Sequence, residues 1–182
     1  MKLVLIGLRG TGKSTVGRVL AQRLNWECID TDTLVEERAG KSIREIFETA
    51  GEPEFRKLEA QVVQEACLHK NAVIASGGGS ILNLTSVAVM KNDGFVVHLS
   101  ADPSELWHRI CQDPRTRETR PKLDKSSDSE LDELKKLMLS RAAAYANARD
   151  VEVDVEGRTP DEVSEAVLIL MKAHGCYPLA AG

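Results

Sequence analysis

No apolar stretch in the 182 residues approaches the roughly 18 that a membrane-spanning helix needs, which excludes such a helix, and a soluble chain is expected. Met1-Lys2 leads straight into the apolar run Leu3-Val4-Leu5-Ile6. That leaves no room for a signal peptide or an arginine-rich transit segment, so a cytoplasmic location is expected. Cysteine is sparse and scattered: Cys28, Cys67, Cys111 and Cys176 form no Cys-x-x-Cys and no cysteine–histidine cluster. Reduced thiols, mostly in the core, are the expectation. Positive charge is not in excess, with 24 basic against 28 acidic residues and a net charge of −4, so no global field draws nucleic acid. The chain has no internal repeat. What remains, at 42% hydrophobic and 29% charged residues, has the length and composition of one globular domain with a real core.

Against these absences stands one dense stretch, Gly7-Leu8-Arg9-Gly10-Thr11-Gly12-Lys13-Ser14, placed between the run Leu3–Ile6 and an amphipathic helical pattern. The glycines let the backbone curl so that successive N–H groups point at a polyphosphate, and the following helix adds its positive end. Lys13 can then reach β- and γ-phosphates, and Ser14 can ligate Mg²⁺. A plain glycine-rich turn would need neither the lysine nor the flanking strand and helix, so nucleotide binding is expected.

Beyond the loop, Val16, Val19, Leu20 and Leu24 recur at helical spacing. Trp26 to Ile29 reads as a second strand ending in Asp30-Thr31-Asp32, whose two carboxylates would share one side if the chain stays extended. Residues 33–50 read as helical with a break at Gly40, a capping box at Ser42-Ile43-Arg44-Glu45 and a stop at Gly51. A long helix over 52–69 sets Phe55, Leu58, Val62 and Ala66 on one stripe, with Arg56 and Glu59 three apart beside it. Ala72 to Ala75 is a buried strand running into Ser76-Gly77-Gly78-Gly79, where close backbone approach to a ligand is expected. A helix over 84–91 and a strand over 95–99 follow, then a helix starting at Asp102-Pro103 and ending near 109–111.

Residues 112–129 are polar and patternless, with Arg115, Arg117, Arg120, Lys122 and Lys125, as in a lid. The helix over 130–147 turns Leu134, Leu137 and Met138 inward, and Arg141 and Tyr145 continue the row of Leu137. A lone arginine in such a row could simply snorkel at the core's edge. Val151, Val153 and Val155 alternate as a last strand, and Thr159-Pro160 opens a helix with Val163, Ala166, Val167, Leu170 and Met171 facing the sheet. Strand and helix alternate throughout, which predicts an α/β, three-layer P-loop NTPase fold: a parallel five-stranded sheet flanked by helices. Ligands of such sheets sit at the strand carboxyl ends, where the loop, Asp30 with Asp32, and the triple glycine all fall.

Assembled, these residues resemble the shikimate kinase family over residues 1 to about 172, on several ordered matches. They are Gly7 to Ser14, Asp30-Thr31-Asp32, Gly51-Glu52 with Phe55-Arg56 and Glu59, Gly77 to Gly79, Arg120-Pro121, and Arg141 four residues before Tyr145. The resemblance implies transfer of the γ-phosphoryl of ATP to the 3-hydroxyl of shikimate, with Mg²⁺ as cofactor. It implies ATP binding by Gly10, Thr11, Gly12, Lys13, Ser14 and Thr15, with Arg109, Arg120 and Arg158. Ser14 and Asp30 would serve the metal; Lys13, Asp32 and Arg120 would be catalytic, with Asp32 accepting a hydrogen bond from the acceptor hydroxyl. Asp32, Phe55, Arg56, Gly77, Gly78, Gly79 and Arg141 would bind shikimate, the two arginines clamping its carboxylate while Glu59 orients Arg56. The expected organisation is a single domain with its core at 1–173, an acceptor-binding segment at 31–61, a lid at 111–128 and a flexible tail at 174–182. The expected partners are ATP and shikimate, with no nucleic acid, no membrane and a monomeric state.

Two departures stand out. Lys122 occupies the place after the lid's Arg-Pro where the family often has leucine, and Ala143-Ala144 precede Tyr145 where Pro-Leu is usual. Both bear on lid packing and turnover more than on the reaction. Alternatives are another small P-loop kinase, acting on gluconate or a nucleoside monophosphate, and a nucleotide-binding regulator without acceptor binding. A GTPase switch is disfavoured, because Asp154-Val155-Glu156-Gly157 lies late in the chain and no Asn-Lys-x-Asp follows.

Overall fold

The computed structural model describes residues 1–113 and 130–176. The run Leu3–Ile6 lies in β1 (Lys2–Ile6), every residue of which is buried, as a strand covered on both faces demands. β2 (Glu27–Asp30), β3 (Ala72–Ala75), β4 (Gly94–Ser100) and β5 (Val151–Asp154) join it in one parallel sheet of order β2-β3-β1-β4-β5. Leu3 pairs with Val73 on one side and Phe95 on the other. Because β3 and β4 flank β1 on opposite sides, the chain reverses its winding at β1, and the crevice opens where the phosphate loop leaves that strand.

The helices are α1 (Lys13–Leu24), α2 (Thr31–Ala39), α3 (Ile43–Ala66), α4 (Leu84–Lys91), α5 (Pro103–Gln112), α6 (Glu130–Ala148) and α7 (Pro160–Ala173). α1 packs with α7, whereas α3, α4 and a short 3₁₀ turn at Ser80–Leu82 touch in succession and α6 bridges that turn to α5. Capping explains several boundaries. Ser42 and Glu45 form the expected box at the start of α3, Thr159 and Glu162 form another at α7, and Asp102 caps α5 ahead of Pro103. Gly40 ends α2 in a left-handed conformation, φ 61°. The main core lies between the sheet and its helices, and a satellite core of Val35, Ile43, Ile46, Phe55 and Val62 holds α2 against α3.

Several expectations need correcting. The second strand runs one residue later than read, through Asp30, and α2 begins at once at Thr31. Gly51 does interrupt the helix as read: its backbone is non-helical, φ 82°, ψ 169°, so α3 is two helical stretches joined at a kink, and Pro53 falls at the start of the second stretch, where it needs no N–H donor. That helix stops at Ala66, short of the 69 read for it. α5 reaches Gln112, so the expected lid start at 111 falls inside a helix; the rest of the lid, 114–128, lies outside the described residues. In the expected tail, Gly175 and Cys176 still donate backbone bonds to Lys172 and Met171, and residues 177–182 lie outside the description. The thiols are unpaired with one another, but only Cys67 is buried; Cys28, on the edge strand β2, and Cys111, in the last turn of α5, are exposed.

Candidate active site

A cavity of about 890 Å³ opens at the carboxyl ends of the strands. Gly10, Gly12, Lys13, Ser14 and Thr15 form one wall, and Phe55, Arg56, Glu59, Gly78, Gly79 and Arg141 form the other, with Asp30 and Asp32 between them. The loop takes its shape from positive-φ glycines: Gly10 has φ 87° and Gly12, the N-cap of α1, φ 82°. Thr11 is different from its neighbours. Its side chain is buried and donates to the Leu8 carbonyl at 2.8 Å, so it braces the loop from behind and does not line the cavity. The Lys13 ammonium donates to the same carbonyl at 2.8 Å, which curls it over the loop.

Asp30 and Asp32 both face the cavity, but not by strand alternation. Asp30 is the last strand residue and the N-cap of α2: its Oδ1 accepts from the amides of Asp32 at 3.0 Å and Thr33 at 3.3 Å. Its other oxygen, Oδ2, accepts from the Ser14 hydroxyl at 2.5 Å. Capping thus fixes Asp30 toward Ser14, and Asp32 enters the cavity from the first turn of a helix. An aspartate directly before Thr-Asp-Thr is a cap signal that the sequence carried.

The triple glycine is shaped by crowding. A Cβ on Gly77 would stand 2.6 Å from Asp32 Oδ1 and 2.7 Å from Glu59 Oε1, and one on Gly79 would overlap the Arg56 guanidinium. Gly77 itself does not line the cavity; its amide donates to the buried Thr31 hydroxyl at 2.9 Å, tying the glycine segment to the Asp30–Asp32 turn. The Gly78 carbonyl accepts from Arg141 at 3.0 Å and from the Tyr145 hydroxyl at 2.8 Å.

Arg56 donates to Glu59 at 2.8 Å and, through Nη2 and Nε, to Glu52 at 2.9 and 3.1 Å, so two carboxylates orient it. Glu59 was expected in this role; Glu52 was named only among the matching residues, without a role, although i, i+4 spacing predicts the contact. Burial pushes the Glu59 carboxyl up, Arg56 partly offsets this, and the nearby Asp32 charge adds to the rise. Burial works against the Arg56 charge, but Glu59 and Glu52 outweigh it and raise its pKa, so the guanidinium stays charged.

Arg109 also lines the cavity, donating to Glu105 at 2.7 Å and to the Val155 carbonyl at 3.0 Å. Arg158 does not: it is exposed in the turn before α7, where its amide bonds the same Val155 carbonyl at 3.4 Å. Arg120 lies outside the described residues. Arg9 and Arg18, not singled out in the sequence, line the cavity too.

Residues 9–172 match the sequence profile described as shikimate kinase. The chain belongs to that family. It is 38% identical over 175 residues to the shikimate kinase of Symbiobacterium thermophilum, covering 96% of this chain and 98% of that protein. With the shikimate kinase of Caldanaerobacter subterraneus subsp. tengcongensis it shares 40% identity over 166 residues, 91% of this chain and 93% of the relative. Among solved structures, the shikimate kinase of Acinetobacter baumannii in complex with shikimate superposes with a TM-score of 0.88 at 29% identity, covering 95% of this chain and 93% of that one. Family membership makes this an ATP-dependent kinase of the parallel-sheet P-loop type. For a shikimate kinase cavity the two walls have distinct chemistry: loop amides and Lys13 suit a polyphosphate, and Arg56 and Arg141 suit a planar anion.

Proposed function

We propose that this chain transfers the γ-phosphoryl of ATP to the 3-hydroxyl of shikimate, giving shikimate 3-phosphate and ADP. The observation that carries the reading is the cavity itself, which is lined together by the phosphate loop, Asp32, Arg56 and Arg141. In this reading the acceptor carboxylate lies on the two arginines, against Gly78 and Gly79 and the Phe55 ring, and its 3-hydroxyl points at Asp32. The segment 31–61 then serves as the acceptor-binding part of the domain. Lys13 and the loop amides hold the β- and γ-phosphates, with Arg109 toward the nucleotide's other end. Phosphoryl transfer has little covalent work for protein groups, so Asp32 contributes by orienting the hydroxyl and by taking its proton as the bond to phosphorus forms.

Ser14 and Asp30 fit a Mg²⁺ ion, because they bring two oxygen ligands together at the base of the phosphate loop. Among the described residues no group of three or more His, Cys, Asp or Glu side chains is placed to hold a metal, so the ion would depend on Ser14, Asp30 and the nucleotide's own phosphates. Bound there, it would neutralise charge on the β- and γ-phosphates. A cytoplasmic monomer acting on two freely diffusing small molecules belongs to the same reading.

The test is ATP-dependent ADP release with shikimate, quinate, gluconate and nucleoside monophosphates in parallel. Shikimate should be turned over with by far the highest kcat/KM. Preference for gluconate or a nucleotide would replace the reading, and tight ATP binding without turnover of any acceptor would point to a regulator.

A further inference from the structure

The Gly78 carbonyl carries two donors at once. Arg141 Nη1 reaches it at 3.0 Å and the Tyr145 hydroxyl at 2.8 Å, from side chains one helical turn apart on α6. Arg141 lines the cavity, whereas Tyr145 does not; it is 3% exposed and reaches Gly78 from outside the cavity wall. Its ring is fixed from below by a parallel stack on His98 of β4, with centroids 4.4 Å apart and an 8° tilt. A Cβ on Gly78 would lie 3.8 Å from the Tyr145 oxygen and 3.2 Å from the Gly7 carbonyl, so this glycine is held between the helix and the phosphate loop. On the other side of the segment, Thr31 holds the Gly77 amide.

An arginine that must satisfy a backbone carbonyl cannot give all its donors to a ligand. A carbonyl left without its donors on desolvation is costly, and the segment would shift to recover a partner. We infer that Tyr145 is a positioning residue which keeps the Gly78 carbonyl bonded, so that Arg141 is free to turn its guanidinium onto the acceptor's carboxylate without loosening Gly77–Gly79. Burial pushes the Tyr145 hydroxyl up to about 12, so it remains a donor across the working pH range. The stack on His98 makes the contact stiff.

This inference rests on the proposed acceptor, and the experiment separates the two. Tyr145→Phe removes one oxygen and retains the ring and its stack. Its KM for shikimate should rise about fivefold, the size expected for one lost hydrogen bond, with kcat and the ATP KM close to the parent's. Two further readouts exclude a general structural effect. With an acceptor analogue lacking the carboxylate, parent and Tyr145→Phe should be equal, because Arg141 then has no ligand to serve. In an Arg141→Ala background, Tyr145→Phe should add nothing to the acceptor KM. Thermal unfolding and ADP binding, measured on each variant, report folding independently of the acceptor. The inference is overturned if Tyr145→Phe leaves the shikimate KM unchanged, if both acceptors suffer alike, if the effects of the two substitutions multiply, or if the variant loses its fold. A parent that never turns over shikimate would instead sink the acceptor reading.

Discussion

At the scale of single residues, the site separates groups that hold from groups that react. Lys13→Met should keep the fold and ADP-release activity should nearly vanish, since the cation over the loop is gone; turnover within a few-fold of the parent would show that another group neutralises the phosphates. Arg56→Ala and Arg141→Ala should each lose charge-assisted bonds worth about 1.5–3 kcal/mol, read as a raised shikimate KM with the ATP KM nearly constant. Of the two, Arg56→Ala should be the harsher, because it also strands the buried Glu59 carboxylate that it pairs. Asp32→Asn is nearly isosteric but takes no proton, so kcat should fall about 10²–10⁴-fold if Asp32 accepts the hydroxyl proton. A milder fall with a raised acceptor KM would make it an orienting group. Parent-like constants in Asp32→Asn together with an inactive Asp30→Asn would exchange the roles assigned to the two carboxylates.

At the scale of elements, short segments brought from far apart in the chain meet with no room to spare, and the triple glycine is the clearest case. Gly77→Ala would put a methyl group 2.6 Å from Asp32 and 2.7 Å from Glu59, both on helices packed by the satellite core. Both oxygens are the ends of side chains, so Asp32 and Glu59 must rotate away from their present positions, and kcat/KM for the acceptor should drop while α1 and the phosphate loop still bind ADP. Equal loss of ADP binding would mean that the whole crevice had shifted. What was legible in the sequence follows from the same distinction between near and far. β1, the loop and α1 were readable because their signals are local: an apolar run, glycines, then a helical stripe. The boundaries of α4 were readable for the same reason. The turn from β2 into α2 was misread as extended chain, since the alternation argument ignored that Asp30 caps a helix starting at Thr31. The Thr31–Gly77 and Tyr145–Gly78 bonds span 46 and 67 residues, and no spacing rule within one sequence reports such partners.

For the whole molecule, charges placed between layers couple the site to stability. Arg23 of α1 bonds Asp161 and Glu165 of α7 across the surface, where such pairs add little. His98 is another matter. It lies in β4 with 13% of its side chain exposed, stacked on Tyr145 and close to Arg149 and Glu152. Burial pushes its pKa down to about 4, with the Arg149 and Lys13 charges adding to the drop, although Glu152 at 3.6 Å pulls the other way. In the unfolded chain a histidine titrates near 6.5, so below that pH the unfolded state binds a proton that the folded state refuses. Stability is therefore fully present above about pH 6.5 and is lost as pH falls toward about 4, by up to ~3 kcal/mol from this group. His98→Phe keeps a ring against Tyr145 but cannot take the proton. Urea midpoints measured from about pH 7 down to about pH 4.5 should fall more steeply for the parent than for His98→Phe, the carboxylates being common to both. Parallel pH profiles for the two proteins would show that His98 does not carry this acid sensitivity, and a steeper profile for His98→Phe would reverse its sign.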